Sequence, residues 1–300
     1  MRVYYTDQFA LPLPEGHRFP MSKYTLLRQR VAASGLVPHQ KILIPPPLQD
    51  EAILRAHDSD YLRRVQQGKL SIHEIRKIGF PWSPEMVERS FRSSSATLES
   101  CRAALQEGVA VNLAGGTHHA FRDHGGGYCV FNDSAIAALN IIAEGHVKRV
   151  VIIDCDVHQG DGTAAILVDN PDIYTFSIHA EKNYPFHKQK SNLDIGLDDG
   201  TTDAVYLARL AEGLDYALEE SQAELAIYLA GADPYEHDKL GRLSLTKAGL
   251  RQRDEMVLEN CRTAGIPVAI TMAGGYAKNV EDIVDIHFQT VATAAQIFNL

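Results

Sequence analysis

The sequence lacks the features of membrane, secreted and disulfide-stabilised proteins. It has no apolar run long enough to cross a bilayer, and residues 1–7 do not resemble a secretory signal, so we expect a soluble, cytoplasmic protein. The four cysteines are widely spaced without a C-x-x-C pair, which indicates neither a zinc knuckle nor a disulfide framework. Repeats, low-complexity tracts and Pro/Gly-rich linkers are also missing. With 45% hydrophobic residues, the chain can bury one large core, and we predict a single domain over residues 1–300.

Basic residues are outnumbered by acidic ones, which gives a formal net charge of -9. This charge opposes general binding to nucleic acid or to an anionic membrane, so we expect neither partner. It is compatible with a cationic substrate, although net charge alone does not identify one. The sequence carries no signal for an oligomeric state.

Short β-branched runs alternate with longer segments of helical period. The predicted strands are Val3–Tyr5, Lys41–Ile44, Val109–Ala114, Arg149–Asp154, Ile173–Ile178, Glu224–Ala230 and Pro267–Met272. The predicted helices are Ser22–Ala33, Asp50–Gln67, Pro84–Gln106, Asp133–Glu144, Thr202–Glu220, Thr246–Ala264 and Asn279–Ile297. Alternation of this kind, with nearly continuous apolar strands, predicts an α/β fold in which an open parallel sheet is flanked by helices on both faces.

Polar clusters follow five of the predicted strands at their carboxyl ends. They are Gly115-Gly116-Thr117-His118-His119, Asp154-Cys155-Asp156-Val157-His158-Gln159-Gly160-Asp161, Ser177-Ile178-His179, Gly231-Ala232-Asp233 and Gly274-Gly275-Tyr276. The carboxyl ends of parallel strands meet at one edge of the sheet, where ligands bind in open α/β folds. The sequence therefore predicts a functional site at this edge.

Three of these residues have the chemistry of a catalytic metal site. Asp156 and His158 are two positions apart at a strand end, so their side chains can point to the same side, and Asp233 follows another strand. Two carboxylates and one imidazole leave a coordination position open for water, as catalytic zinc requires. The alternative is that Asp156 and His158 cap a helix over residues 160–170. Fe(II), Mn(II) or Co(II) would also suit these donors.

Acid–base residues lie in the same clusters. The pair His118-His119 could be oriented by Asp154 and Asp161, because a carboxylate bonded to one imidazole nitrogen raises the basicity of the other. The phenol of Tyr276 could donate to a developing oxyanion. Each residue also has an ordinary interpretation. His118 and His119 would be a pair in a surface loop, and Asp154 would be a buried carboxylate that accepts backbone amides. Asp161 would be a helix N-cap, and Gly274-Gly275-Tyr276 would be a turn.

Taken together, these residues resemble the histone deacetylase family of the arginase/deacetylase fold, through motifs in family order along nearly the whole chain. The motifs are His17-Arg18-Phe19-Pro20 with Lys23-Tyr24, Gly115-Gly116-Thr117-His118-His119-Ala120, Gly126-Gly127-Tyr128-Cys129-Val130-Phe131-Asn132-Asp133, Asp154-Cys155-Asp156-Val157-His158-Gln159-Gly160-Asp161-Gly162, Ala230-Gly231-Ala232-Asp233 and Ala273-Gly274-Gly275-Tyr276. Gln159 and Ala273 depart from many eukaryotic members. His158-Gln159-Gly160, together with Leu240-Gly241-Arg242-Leu243-Ser244-Leu245, looks most like the class IV branch and its bacterial relatives.

The resemblance implies a role for each matching residue. One zinc ion per chain would be held by Asp156, His158 and Asp233. His119 would be the general base and later the acid, with His118 as its electrostatic partner. Asp154 would pair with His118 and Asp161 with His119, while Tyr276 would polarise the amide carbonyl. The implied substrate channel comprises Gly127, Tyr128, Tyr184, Gly274 and Gly275. The implied structural potassium site comprises Asp154, Asp156, His158, Ser177 and Ile178.

The activity that the resemblance implies is hydrolysis of an acetyl or longer acyl amide on a lysine side chain by metal-activated water. An acetylpolyamine amidohydrolase is an alternative substrate class within the family. An arginase-like ureohydrolase with two manganese ions would need more ligands than the three that the sequence offers. A metal-dependent binding module without catalysis would not need His118, His119 and Tyr276.

Overall fold

The structure, a computed structural model, describes residues 1–9 and 11–299. Its strands are β1 (Arg2–Tyr4), β2 (Ile42–Leu43), β3 (Val109–Asn112), β4 (Val150–Asp154), β5 (Ile173–Ala180), β6 (Leu193–Leu197), β7 (Leu225–Leu229) and β8 (Val268–Thr271). Its α-helices are α1 (Ser22–Ser34), α2 (Asp50–Ile53), α3 (Ser59–Gln66), α4 (Ile72–Ile78), α5 (Pro84–Glu107), α6 (Asp133–Ala143), α7 (Asp161–Leu167), α8 (Asp203–Ser221), α9 (Lys247–Thr263) and α10 (Val280–Ile297).

The strands form one parallel sheet in the order β2-β1-β3-β8-β7-β4-β5-β6. Successive residues of β4 enter different cores, because side chains alternate across a strand. Val151 and Ile153 pack in a core with residues of α1, α8, α9 and α10, whereas Val150 and Ile152 pack in a core with residues of α5 and α6. The predicted open parallel sheet flanked by helices on both faces is confirmed. Among the helices that the structure describes, none has the length and apolarity needed to cross a membrane.

The structure differs from the predicted elements in two informative places. The predicted helix Asp50–Gln67 is divided into α2 and α3, because the Asp58 amide donates 2.8 Å to the carbonyl of Arg122 in a distant loop. Strand β6 was missed, since Leu193, Ile195 and Leu197 alternate with Asp194 and Gly196 at the sheet edge and make no continuous apolar run. In both places the secondary structure is determined by contacts with distant parts of the chain and not by the local sequence pattern.

His57, in the break between α2 and α3, links two loops near the carboxyl edge of the sheet. Its Nδ1 donates 2.9 Å to the carbonyl of Phe121, and its Nε2 accepts the amide of Asn132 at 2.9 Å. Both bonds suit a neutral ring, in which one nitrogen donates and the other accepts. Burial lowers the pKa of His57 to about 4.

This pKa predicts a pH-dependent contribution of His57 to stability. The unfolded chain takes up the proton near pH 6.5 and the folded chain only near pH 4. The contribution is therefore complete above about pH 6.5 and is lost as the pH falls towards 4, a change of about 3 kcal/mol in total. We expect the difference in unfolding free energy between wild type and His57→Gln, measured by urea denaturation, to shrink over this range. A difference that stayed constant from pH 7.5 to 4.5 would contradict this prediction.

Candidate functional site

The polar clusters at the carboxyl ends of β3, β8, β7, β4 and β5 meet because these strands are neighbours in the sheet. Residues of the clusters after β3, β4 and β8 line a cavity of about 580 Å³. The predicted site residues that line it are His118, His119, Gly127, Tyr128, Asp156, His158, Tyr184, Gly274 and Tyr276. Ser177 and Ile178 do not line it, since β5 continues to Ala180 and places both residues within the strand.

Asp156 and His158 line the floor of the cavity, and Asp233 lies buried directly behind them; Asp154 and Asp161 are also buried and do not line it. The Nδ1 of His158 lies 2.9 Å from Asp156 Oδ1 and 3.3 Å from Asp233 Oδ2. One donor atom from each residue lies within 4.8 Å of the others, and within residues 1–9 and 11–299 this is the one such group of three. Backbone amides orient the two carboxylates: Val157 donates to Asp233 Oδ1 at 3.0 Å, and Gly274 donates to Asp156 Oδ2 at 2.7 Å.

The donor set fits a divalent metal ion. Asp233 is fully buried, and apart from the 3.3 Å approach of His158 Nδ1 its Oδ2 has no hydrogen-bond partner among the described residues, which is costly for a buried carboxylate oxygen. Burial and the nearby charge of Asp156 raise the pKa of Asp233 to about 7. A cation between the two carboxylates would offset this cost, and one imidazole with two carboxylates is a ligand set that zinc accepts.

Both adjacent histidines are paired with carboxylates through their Nδ1 atoms. The distance from His118 Nδ1 to Asp154 Oδ2 is 2.7 Å, and that from His119 Nδ1 to Asp161 Oδ1 is 2.6 Å. The two imidazole rings lie 4.2 Å apart between centroids. Because an ionised carboxylate can only accept, each Nδ1 carries a proton, and this leaves the Nε2 of His119 with a free lone pair when the ring is neutral.

The two histidines differ in charge because their surroundings differ. Burial and the adjacent charge of His118 together lower the pKa of His119 to about 4, because Asp161 compensates for them only in part. Burial acts in the same direction on His118, but the charges of Asp154 and Asp156 outweigh it and raise the pKa to about 9. The surroundings of the two rings therefore favour a neutral His119 beside a cationic His118.

Tyr276 lies across the cavity, in the loop after β8. Its amide donates 2.6 Å to Asp238 Oδ2, which fixes the backbone, and its ring lies 5.3 Å from the Nζ of buried Lys23. Its hydroxyl makes no hydrogen bond to any residue in the part of the chain that the structure describes, so it is free to donate to a substrate. Burial and the charges of Asp233 and Asp156 raise the pKa of Tyr276 well above its usual value, so the phenol keeps its proton.

The two glycines before Tyr276 differ in position. A side chain at Gly274 would overlap the carboxylates of Asp233 and Asp156, so only glycine permits this close approach. Gly275, predicted as a channel residue, does not line the cavity. Its carbonyl accepts the Nζ of Lys23 at 3.3 Å on the buried side of the loop.

Aromatic rings from separate loops form the walls of the cavity. Tyr184 lies edge-on to His119, with 4.9 Å between ring centroids, and Tyr128 lies 5.8 Å from Tyr276. Tyr128 has a left-handed backbone with φ of 65°, a conformation that costs about 1–3 kcal/mol for a residue of this type. Its amide and that of Gly127 donate to the last carbonyls of α4, at 2.7 and 3.1 Å, and hold the ring in the wall.

Sequence reasoning missed residues that support the site from behind. Arg253 of α9 is fully buried and donates to the carbonyls of Cys155 at 3.3 Å and Gly231 at 2.5 Å, just before the strand-end ligands. Asp254 accepts from Arg253 and from the hydroxyl of Tyr228. The available signal was an Arg-Asp pair on the apolar stripe of α9, between Leu250 and Val257.

A second support holds the loop before the histidines. The carboxylate of Asp133, at the start of α6, accepts the amides of Gly116 at 2.9 Å and Thr117 at 2.7 Å, together with the Thr117 hydroxyl at 2.7 Å. The side-chain amide of Asn132 donates to the carbonyl of Ala120 at 3.2 Å. These bonds fix the backbone on both sides of His118 and His119.

Several known proteins are similar to this chain in sequence or in fold. The histone deacetylase domain family matches residues 17–291. The chain is 43% identical to an uncharacterized protein of Picosynechococcus sp., over 95% of each protein. It is 30% identical to histone deacetylase 2 of Arabidopsis thaliana, over 88% of this chain and 70% of that protein. The crystal structure of an HDAC homologue from Aquifex aeolicus matches 98% of this chain and 83% of its own with a TM-score of 0.84 at 21% identity. This chain belongs to the histone deacetylase family.

Proposed function

We propose that this protein is a zinc-dependent deacylase that hydrolyses an acetyl or longer acyl amide on a lysine side chain. The observation that carries the proposal is the convergence of three kinds of group on one cavity. Asp156, His158 and Asp233 form a metal-ligand set, His119 has a free ring nitrogen, and Tyr276 has a free hydroxyl. Metal-assisted amide hydrolysis requires a metal ion, a general base and an oxyanion donor, all close to the same amide group.

Zinc held by Asp156, His158 and Asp233 would act as a Lewis acid and lower the pKa of a water molecule. The protein side chains supply the other functions. His119 Nε2 takes the proton of the attacking water, and Asp161 holds the ring in the tautomer that can accept it. The hydroxyl of Tyr276 donates to the amide oxygen as negative charge develops there. The protonated His119 then delivers its proton to the departing amine, while cationic His118 adds electrostatic stabilisation.

The shape and composition of the cavity support a lysine-like substrate. Tyr128 and Tyr184 are aromatic walls that an extended aliphatic chain can pass, and His119, His158 and Gly274 lie further in. Such walls can bury the methylene groups of an extended acyl-lysine side chain. One three-ligand group also supports a single metal ion over the two-metal alternative.

A structural potassium ion is a second part of this proposal. Asp154 of β4 and Ser177 of β5 face each other in register, and both are buried. Together with backbone carbonyls near Asp156 and His158, they offer oxygen donors, which a hard cation prefers. Replacing potassium with a large organic cation in the buffer should therefore lower the melting temperature, and an unchanged melting temperature would contradict this part of the proposal.

Replacing Tyr276 with phenylalanine should leave a folded, metal-loaded protein with impaired turnover. Loss of one oxyanion donor typically lowers kcat by about 10²–10³-fold. The matched control is Tyr216→Phe, which removes an exposed hydroxyl on α8. Both variants should be assayed on acetyl-lysine peptide, with metal content measured by mass spectrometry. Near-normal turnover of Tyr276→Phe would exclude Tyr276 as the oxyanion donor.

The general test is hydrolysis by metal-analysed protein of acetyl-, longer acyl- and trifluoroacetyl-lysine peptides and of acetylpolyamines. We expect hydroxamate-sensitive hydrolysis with one zinc ion per chain. Absence of hydrolysis on every substrate, or two manganese ions per chain, would overturn the proposed function.

A further inference from the structure

The mouth of the cavity is lined by basic residues. Arg76 and Lys77 are in the last turn of α4, Lys182 follows β5, and Arg242 lies in the loop between β7 and α9; all four line the cavity and are exposed. The one carboxylate among the described lining residues is Asp156, a proposed metal ligand at the floor. We call these four residues the basic mouth.

The sign of this charge is opposite to that of the chain as a whole. The sequence has 38 acidic and 29 basic residues, so an average stretch of surface would be net negative. Within residues 1–9 and 11–299, Arg76, Lys77 and Lys182 form no ion pair. Arg242 pairs with Asp199 at 3.2 Å, and both side chains are about half exposed, a setting in which such pairs contribute little. Most of the positive charge at the mouth is therefore available to a ligand.

Charge of one sign around a cavity entrance attracts ligands of the opposite sign and repels those of the same sign. A polyamine carries additional ammonium groups, which would face Lys77 and Lys182 when its acylated end reached His119. A polypeptide with aspartate or glutamate beside its acyl-lysine would place carboxylates there. Phe186, 79% exposed at the same rim, adds an apolar surface for the flanking peptide.

We propose that the basic mouth selects acyl-lysine within an acidic polypeptide segment and disfavours acetylpolyamines. This inference rests on the proposed deacylase function and specifies its substrate. The overall net charge of -9 alone would favour a cationic substrate. The local positive charge at the entrance of the cavity favours an anionic one.

The first experiment uses acetyl-lysine peptides of equal length with acidic, neutral or basic flanking residues, and an acetylated polyamine. At low salt we expect kcat/KM to be highest for the acidic peptide and at least about 10-fold lower for the basic peptide and the polyamine. The difference should shrink as salt rises from about 0.01 to 1 M, since the Debye length falls from about 30 to about 3 Å. Equal rates, or preference for the basic peptide or polyamine, would overturn the inference.

The second experiment reverses the charge of the mouth. In Lys77→Glu/Lys182→Glu the order of acidic and basic peptides should invert, whereas Lys148→Glu/Arg149→Glu should keep the wild-type order. Lys148 and Arg149 are also exposed and lie just before β4, at the amino-terminal edge of the sheet, opposite the cavity. Unchanged selectivity in the mouth variant, with intact metal content, would also overturn the inference.

The two proposals fail in different ways. If no peptide is hydrolysed, the proposed function fails, and the charge preference is then tested by fluorescence anisotropy with labelled acidic and basic peptides. Tighter binding of the acidic peptide to wild type, and its loss in the mouth variant, would support the inference by itself. Equal binding of both peptides would refute it.

Discussion

Asp233→Asn is expected to remove the metal ion and to lower amide hydrolysis by about 10³-fold or more. A metal ion contributes several kcal/mol to the transition state of such reactions, and each 1.4 kcal/mol is a factor of about ten in rate. Asparagine keeps an oxygen for the Val157 amide, so the local backbone should be preserved. The unpartnered Oδ2, however, is replaced by an amide nitrogen, which carries no negative charge and cannot bind the ion.

Metal content by mass spectrometry, turnover on acetyl-lysine peptide and far-UV circular dichroism test this prediction together. Asp215→Asn, on the exposed side of α8, removes one negative charge away from the site and should behave as wild type. A variant at position 233 that retained stoichiometric metal and normal turnover would exclude Asp233 as a ligand. Loss of secondary structure would instead assign Asp233 a role in folding.

His119→Ala is expected to retain the metal ion while losing turnover by about 10²–10⁴-fold, the usual contribution of a general acid–base group. His119 is bonded to Asp161 and is not one of the three converging ligands, so the metal content should not change. Added imidazole should restore part of the activity, because truncation leaves space beside Gly127, whose backbone packs closely on the His119 ring.

The control for this variant is His146→Ala, which removes an exposed imidazole in the loop before β4. It should change neither turnover nor metal content. If His119→Ala lost its metal, His119 would be a ligand or a support for one. If it kept more than a tenth of wild-type turnover, another group would be the base.

The fold was predictable where burial and sequence pattern agree. The runs Val150–Asp154 and Leu225–Leu229 are buried throughout, and a strand covered on both faces shows a continuous apolar pattern. The edge strand Leu193–Leu197 is half exposed and alternating, so its pattern was not recognised. The division between α2 and α3 depends on the bond from Asp58 to the carbonyl of Arg122, which no local pattern records.

The site was predictable where its residues lie in short segments after strands. Asp156 and His158 are close in space because they are close in sequence, and parallel strands bring Asp233 to the same edge. Arg253 could not be assigned in this way. Its function depends on reaching two carbonyls beneath the ligands from a helix that follows β7, a contact that exists only after packing.

The basic mouth and the catalytic groups occupy different parts of the chain. His118, Asp156 and Asp233 follow central strands of the sheet, whereas Lys77, Lys182 and Arg242 are on a short helix and two surface loops. Substitutions in these outer segments can therefore alter which polypeptides are accepted without moving a catalytic atom. Libraries at positions 76, 77, 182 and 242 would therefore vary the entrance of the cavity separately from the groups that follow the central strands.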